Sequence, residues 1–347
     1  MNRKWVVAVL LVLMSTAAFA SNFRAADLIY LPAVGRFTSG DVVFKSNVFI
    51  NNVSDVPIVV TSVLADSNVD NRGVIDNPAK VMDLAVIQPG DGLFFDDFVQ
   101  EVYGLSTFFG QVLFFGCAQG GDCTQEGVCP SDDPNCDPCS EPGEDCEPFT
   151  VQSRIYADQA TSKCFGQAGC TTGQLFTGLP WYSYISPDVA DRDLDEVIIT
   201  GIQEFGTRNV NGFRSNVGFT NSSQYSSITL RITLFREDGT QFGTTTLGLF
   251  PLSHTQGNIA SLFPGFTGSG FVTVRTESFT PTDPGNSDPF IASGLPGFYA
   301  YGSVADNVTN DATTLEAMYL VEFDFASVYG KNFWPATPKR AVRRGSR

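Results

Sequence analysis

The chain has 347 residues at a formal net charge of −16, with 43% hydrophobic and 17% charged residues, 30 Phe and 33 Gly. That composition can bury apolar cores and is not that of a disordered chain. Its acidic balance disfavours nucleic acid and anionic lipid as partners. Without the basic residues of 1–20 and 331–347, 13 basic residues face 37 acidic ones, a net of −24. Solubility outside the cell is the plain explanation, and divalent-cation binding competes with it.

Arg3 and Lys4 precede an apolar run over 5–14, and Ala18-Phe19-Ala20 precedes Ser21. This pattern is that of a secretory signal peptide over 1–20. The run is short of the roughly 20 apolar residues a spanning helix requires, and no later stretch approaches that length. The expected location is therefore secreted, whether periplasmic, extracellular or cell-surface, with no transmembrane segment. Ser21 stands where a bacterial lipoprotein would carry its lipid-bearing cysteine.

Past the leader, short β-branched and aromatic runs alternate with turn residues, which predicts strands at 28–34, 44–50, 56–64, 81–87, 110–116 and 149–157. Pro89-Gly90-Asp91-Gly92 breaks the chain, and 94–103 reads as a short helix stopped by Gly104. The series then returns at 197–202, 213–220, 228–235, 244–250, 258–263, 270–276 and 298–305. Lys45-Ser46-Asn47-Val48 comes back as Arg214-Ser215-Asn216-Val217, Pro89 as Pro251, Asp96 as Asn258, Gly110-Gln111-Val112 as Gly270-Phe271-Val272, and Ala157-Asp158 as Ala305-Asp306. Asp238-Gly239 between two alternating runs is a hairpin turn, with a longer loop at its counterpart in the first copy.

Such strands, with no long 3.6-period segment, predict an all-β protein of two tandem antiparallel β-sandwich domains. The expected layout is domain 1 at 27–158, a linker at 159–196, domain 2 at 197–330 and a basic, disordered tail at 331–347. On the repeated Ser-Asn-Val strands, the Pro89 and Pro251 breaks and the Ala-Asp closings, the chain resembles paired β-sandwich repeats of uncharacterised secreted bacterial proteins. It resembles more loosely the immunoglobulin-like modules of surface proteins. The resemblance implies architecture and no activity.

All eight cysteines, Cys117, Cys123, Cys129, Cys136, Cys139, Cys146, Cys164 and Cys170, fall in one stretch. The first six lie in an insertion over 117–148 with nine acids, five prolines and no basic residue. So polar a segment cannot pack a core, and in an exported chain an even cysteine count reads as disulfides in place of one. Cys164 with Cys170 is expected as a local loop, and Cys117 is expected to pair within the insertion. Cys136-Asp137-Pro138-Cys139 has redox spacing without a βαβ context, thiolate zinc competes poorly with oxidation, and Ser140 stands where haem attachment needs His.

Asp191, Asp193 and Asp195 have the alternate spacing of a calcium loop's first three oxygens, but Ile202 stands where its bidentate Glu belongs. Calcium is the one cofactor such a site would take; otherwise none is expected, and the plain reading is a solvated acidic linker. Trp181, Tyr182 and Tyr184 form an aromatic group suited to a carbohydrate or protein contact.

His254, the chain's single histidine, reads as an exposed loop residue, and no Gly-x-Ser-x-Gly, His-Glu-x-x-His or phosphate loop is present. Asp96-Asp97 is the one carboxylate pair suggestive of hydrolysis, although Asp96 fits better as a helix cap. The expectation is a non-enzymatic secreted protein in adhesion, ligand binding or surface assembly, with protein or carbohydrate partners at the cell surface. The alternatives are a carboxylate-dependent glycan hydrolase and a calcium-stiffened spacer.

Overall fold

A computed structural model describes residues 25–121, 146–158, 163–164, 167–168, 172–180, 196–206, 211–223, 226–281, 297–309 and 311–319. The strands run β1 (Leu28–Ser39), β2 (Val42–Asn52), β3 (Ile58–Asp66), β4 (Val81–Asp83), β5 (Gly92–Phe95), β6 (Phe108–Ala118), β7 (Phe149–Ala157), β8 (Lys163–Cys164), β9 (Gln167–Ala168), β10 (Gly173–Thr177) and β11 (Leu179–Pro180). They continue as β12 (Glu196–Glu204), β13 (Phe213–Asn221), β14 (Ser226–Arg236), β15 (Gln241–Leu249), β16 (His254–Asn258), β17 (Gly268–Pro281), β18 (Phe298–Asp306), β19 (Ala312–Glu316) and β20 (Met318–Tyr319). Two short helices, α1 (Phe98–Tyr103) and α2 (Ile259–Leu262), follow β5 and β16.

The fold is all-β and sandwich-like, built from antiparallel sheets, and its strand order repeats. In the first set β4-β3-β6-β1-β11 lie side by side and face β5-β2-β7-β10; in the second, β15-β14-β17-β12-β20 face β16-β13-β18-β19. The registers match as well. Ser46 is paired with Ile155 and Asn52 with Phe149, as Ser215 is with Val304 and Asn221 with Phe298. β1 is bulged between Leu31 and Val34, and β12 between Thr200 and Ile202, each beside a glycine of the next strand, Gly110 or Gly270. Both glycines answer one steric demand: a Cβ would lie 2.1 Å from the Ala65 carbonyl oxygen or 2.2 Å from that of Phe235.

The recurring Ser-Asn-Val stretch has a mechanical role. Ser46 Oγ accepts from Gly35 N at 2.8 Å and donates to Gly35 O at 2.9 Å, joining β2 to β1. Ser215 Oγ does the same with Gln203 N and O at 2.9 and 2.8 Å. The asparagines that end the strands also match. Asn52 Nδ2 donates to Val56 O and Ile87 O, and Asn221 Nδ2 to Ser226 O and Phe250 O. Each side chain is buried, and satisfying backbone carbonyls in this way removes a desolvation cost of about 1–3 kcal/mol per group.

The expected Asp-Gly turn joins β14 to β15, with Gly239 at φ 82° and Asp238 Oδ1 accepting from Thr240 N. The β3–β4 connection is longer, as anticipated. The first set differs in one respect: residues Phe37–Ser39 of β1 cross over to pair with β2, so its two sheets are formally continuous.

Each set has a core between its own sheets. Ile29, Leu31, Val60, Val112 and Phe114 meet Val48, Ile50, Phe149 and Val151 in the first. Val197, Ile199, Leu230, Ile232 and Val272 meet Val217, Phe219 and Phe298 in the second. A third apolar cluster joins the two sets. Leu28, Tyr30, Val63, Ala65 and Leu113, from the opposite face of β1, β3 and β6, pack on Leu252 and Tyr299 of the second set. Paired aromatics such as Phe114-Phe115 thus serve two cores, Phe114 within the first set and Phe115 against the second.

Candidate functional site

The face by which the second set docks is the outer face of β16-β13-β18-β19. Alternation sends Val217 and Phe219 inward, leaving Gly218 and Thr220 outward opposite Tyr301, Gln256, Tyr299 and His254. His254 is fully buried. Its Nδ1 shares a hydrogen bond with Ser67 Oγ at 2.8 Å and its Nε2 one with Tyr301 OH at 2.7 Å, while Phe109 meets its ring edge-on at 5.1 Å. Backbone joins in, with Asn68 N donating to His254 O and Asn71 N to Pro251 O. The exposed-loop reading of His254 is therefore wrong, because a sheet face 187 residues away in sequence covers it. Burial lowers the imidazole pKa to about 3. With both ring nitrogens bonded to hydroxyls and no water access, this serine–histidine contact is a structural junction.

The equivalent face of the first set, on β5-β2-β7-β10, is left open by the described residues and is the candidate site. β2 turns Lys45, Asn47, Phe49 and Asn51 outward while Ser46, Val48 and Ile50 are buried. Phe49 is paired with Phe94 on one side and Gln152 on the other; Asn51 with Gly92 and Thr150; Asn47 with Arg154, which is paired with Leu175. Phe49 and Phe94 remain 43% and 54% exposed with ring centroids 4.5 Å apart. The second set supplies an internal control, since the same positions of the docked face hold Gly218 and Gln256. A Cβ at Gly218 would lie 2.0 Å from Tyr301 Cζ, so the aromatic pair belongs to the free face alone.

An ionic group borders this platform. Lys45 Nζ lies 2.7 Å from Asp96 Oδ2 and 3.6 Å from Asp158 Oδ2, and it sits over the Tyr156 ring, 5.4 Å from its centroid. The Tyr156 hydroxyl donates to Asp96 Oδ1. Burial opposes the Lys45 charge, but its hydrogen bonds to Asp96 and Tyr156 outweigh it and raise the pKa. The Lys45 hydrogen bond lowers that of Asp96. Burial, followed by the bond to Asp96, pushes the Tyr156 phenol up to about 12.

The cap of α1 is Asp97, not Asp96: its side chain accepts from Gln100 N, and Arg36 holds it at 2.6 Å. Burial pushes the Asp97 carboxyl up against the pull of Arg36. In the second set Asn258 does cap α2, accepting from Ala260 N, so the copies start their helices one residue apart. Asp97→Ala is expected to lower stability by about 1–2 kcal/mol, whereas Asp96→Ala, losing a solvent-exposed pair, is expected to cost under about 1 kcal/mol. Urea midpoints of the two variants check this order.

Among the expected site residues, Cys117 and Cys146 face each other across an isolated antiparallel bridge, and both are disulfide-bonded. Cys164 lies on β8, paired with β9. Cys123, Cys129, Cys136, Cys139, Cys170, Asp191, Asp193, Asp195, Trp181, Tyr182 and Tyr184 lie outside the described residues, as do residues 1–20 and 331–347. Among the described residues no metal-binding group of His, Cys, Asp or Glu occurs, and no helix is long and apolar enough to cross a membrane. Phe49 escaped notice in the sequence; its signal was an aromatic at an outward position of an alternating strand.

No protein-family model matches the chain, and no curated protein matches it. Two solved structures bear some likeness. A crystal structure of Thermotoga maritima 1070 is 12% identical, covering 36% of this chain and 92% of that one, at a TM-score of 0.26. The apo form of Pleurotus ostreatus lectin is 11% identical, covering 87% and 85%, at a TM-score of 0.12. Likenesses at these scores carry no argument about fold or function.

Proposed function

We propose that the chain is an exported, non-enzymatic protein of two tandem β-sandwich domains. It works in adhesion, ligand binding or surface assembly, and takes a protein or carbohydrate partner on the open face of β5-β2-β7-β10. The leader at 1–20 and the acidic body support export. Pairing of Cys117 with Cys146 would close the acidic insertion at its base and hold it to the end of β6. One observation carries the binding reading: Phe49 and Phe94 keep an aromatic pair in solvent where the duplicated face, buried inside the molecule, has glycine and glutamine. Aromatic rings held on a rigid sheet offer contact area at little cost in conformational entropy. Asp96 and Asp97, the carboxylates a hydrolase would need, are instead engaged by Lys45 and Arg36.

The test is a Phe49→Ala/Phe94→Ala double variant probed on an array of oligosaccharides and cell-envelope proteins. Each half-exposed ring contributes only about 1 kcal/mol to folding, so the melting temperature should stay near that of the parent while binding falls at least tenfold. Equal binding by parent and variant would remove this face from consideration.

A further inference from the structure

Apart from that face, the sheets have edges, and the two sets treat the same edge differently. β15 ends the sheet β15-β14-β17-β12-β20 and, among the described residues, is bonded on one side only, to β14. It is nine residues long, Gln241–Leu249, without proline or any charged residue, in a chain of net charge −16. Its counterpart β4 is three residues long, follows Pro78 and Lys80 and ends at Asp83. Short length, proline and charge are the means by which an edge is kept from pairing, and β4 has all three. The other terminal strands among the described residues, β5, β10, β11, β16, β19 and β20, have five residues or fewer. Two of them already meet, the Thr314 hydroxyl of β19 donating to the Leu175 carbonyl of β10.

The residues of β15 also complement one another about Thr245, like beside like or large beside small, over Phe242-Gly243-Thr244-Thr245-Thr246-Leu247-Gly248. An antiparallel copy centred on Thr245 puts Thr244 opposite Thr246, Gly243 opposite Leu247 and Phe242 opposite Gly248. Threonine pairs stabilise neighbouring strands, as Thr233 and Thr244 already do at 3.2 Å; Leu247 and Phe242 each meet a glycine, and Leu249 meets Gln241. Thr244 and Thr246 point outward in both copies, and Thr245 and Leu247 point to the core side, so the two sheets join with inner face to inner face. The register shift between β14 and β15 lies at the hairpin end, near Phe235 and Gln241, leaving Gly243–Leu249 regular. An uncharged strip is also where two acidic bodies can approach with least repulsion.

We infer that β15 pairs antiparallel with β15 of a second copy of this chain, giving a two-fold dimer whose five-stranded sheets run on as one sheet of ten. The contact is isologous and closes on itself, so it produces dimers and not fibres.

Sedimentation velocity of the purified exported chain tests this with two double variants. In Thr244→Lys/Thr246→Lys, each lysine faces a lysine of the other copy; in Thr244→Glu/Thr246→Lys, each glutamate faces a lysine. The parent is expected to shift to twice the monomer mass as concentration rises. The double-lysine variant should remain a monomer with unchanged circular dichroism, and the glutamate–lysine variant should recover the dimer, more weakly at high salt. A parent that stays monomeric up to its solubility limit overturns the inference. So does a double-lysine variant that still dimerises, or a glutamate–lysine variant that does not.

Discussion

Acidifying the protein from neutral pH is expected to strip away stability that a His254→Gln variant does not lose. The folded-state pKa of His254 is depressed from 6.5 to about 3 by burial. Above 6.5 both folded and unfolded chains hold the ring neutral, and its contribution is fully present. Below 6.5 the unfolded chain takes up a proton that the folded chain refuses, so stability falls by about 1.4 kcal/mol per pH unit. The decline continues towards pH 3 and totals about 5 kcal/mol at most. Asp96, Asp238 and Asp306, whose pKa values are lowered, add to the loss, and Asp97 and Glu204, whose values are raised, oppose it. These carboxylates are common to both proteins, so the difference between the two curves belongs to the histidine. Urea unfolding at successive pH values should therefore show stability falling below 6.5 more steeply for the parent than for the variant, by about 1.4 kcal/mol per pH unit. The variant should also start about 2–3 kcal/mol lower, since Ser67 and Tyr301 lose a buried partner. Parallel curves for the two proteins would show that the ring is not buried.

A single methyl group at Gly218 is expected to be costlier than the loss of either exposed phenylalanine. Its Cβ would fall 2.0 Å from Cζ and 2.4 Å from the hydroxyl of Tyr301. That ring is packed edge-on against Phe176 at 5.2 Å and bonded to His254, so it cannot move aside without breaking the junction between the two sets. Overpacking costs about 1–3 kcal/mol, and the lost hydrogen bond adds roughly 1 kcal/mol. Gly218→Ala should accordingly lower the urea midpoint by the equivalent of about 3 kcal/mol. A midpoint within error of the parent would mean that Tyr301 does not lie over Gly218.

Local periodicity made much of the fold legible. Ile228, Leu230, Ile232 and Leu234 alternate with Thr229, Arg231 and Thr233, and the strand is where that pattern puts it. The repeated Ser-Asn-Val stretch marked equivalent positions because its serine and its terminal asparagine each bond backbone within their own set, so cause and signal lie close together. His254 was illegible for the opposite reason. Pro251 to Gln256 looks like a polar loop, and only Ser67, Phe109 and Tyr301, all distant in sequence, turn it into an interior strand. Asp96 and Asp97 differ by one residue in a helix start, and only the backbone path decides that Asp97 is the one within reach of Gln100 N. The aromatic platform was not legible, because the pairing of Phe94 with Phe49 on β2 emerges only when cross-strand register is known.

The sets meet through unlike faces, the β4-β3-β6-β1-β11 side of one against the β16-β13-β18-β19 side of the other. Nothing therefore obliges the two sets to carry the same exterior. One version of each surface can be greasy and its twin wettable, so long as the serine clasps, the asparagine hooks and the tight glycine passages are kept. Likeness between the sets is written in their fasteners, and a comparison that weighs their outer residues will miss it.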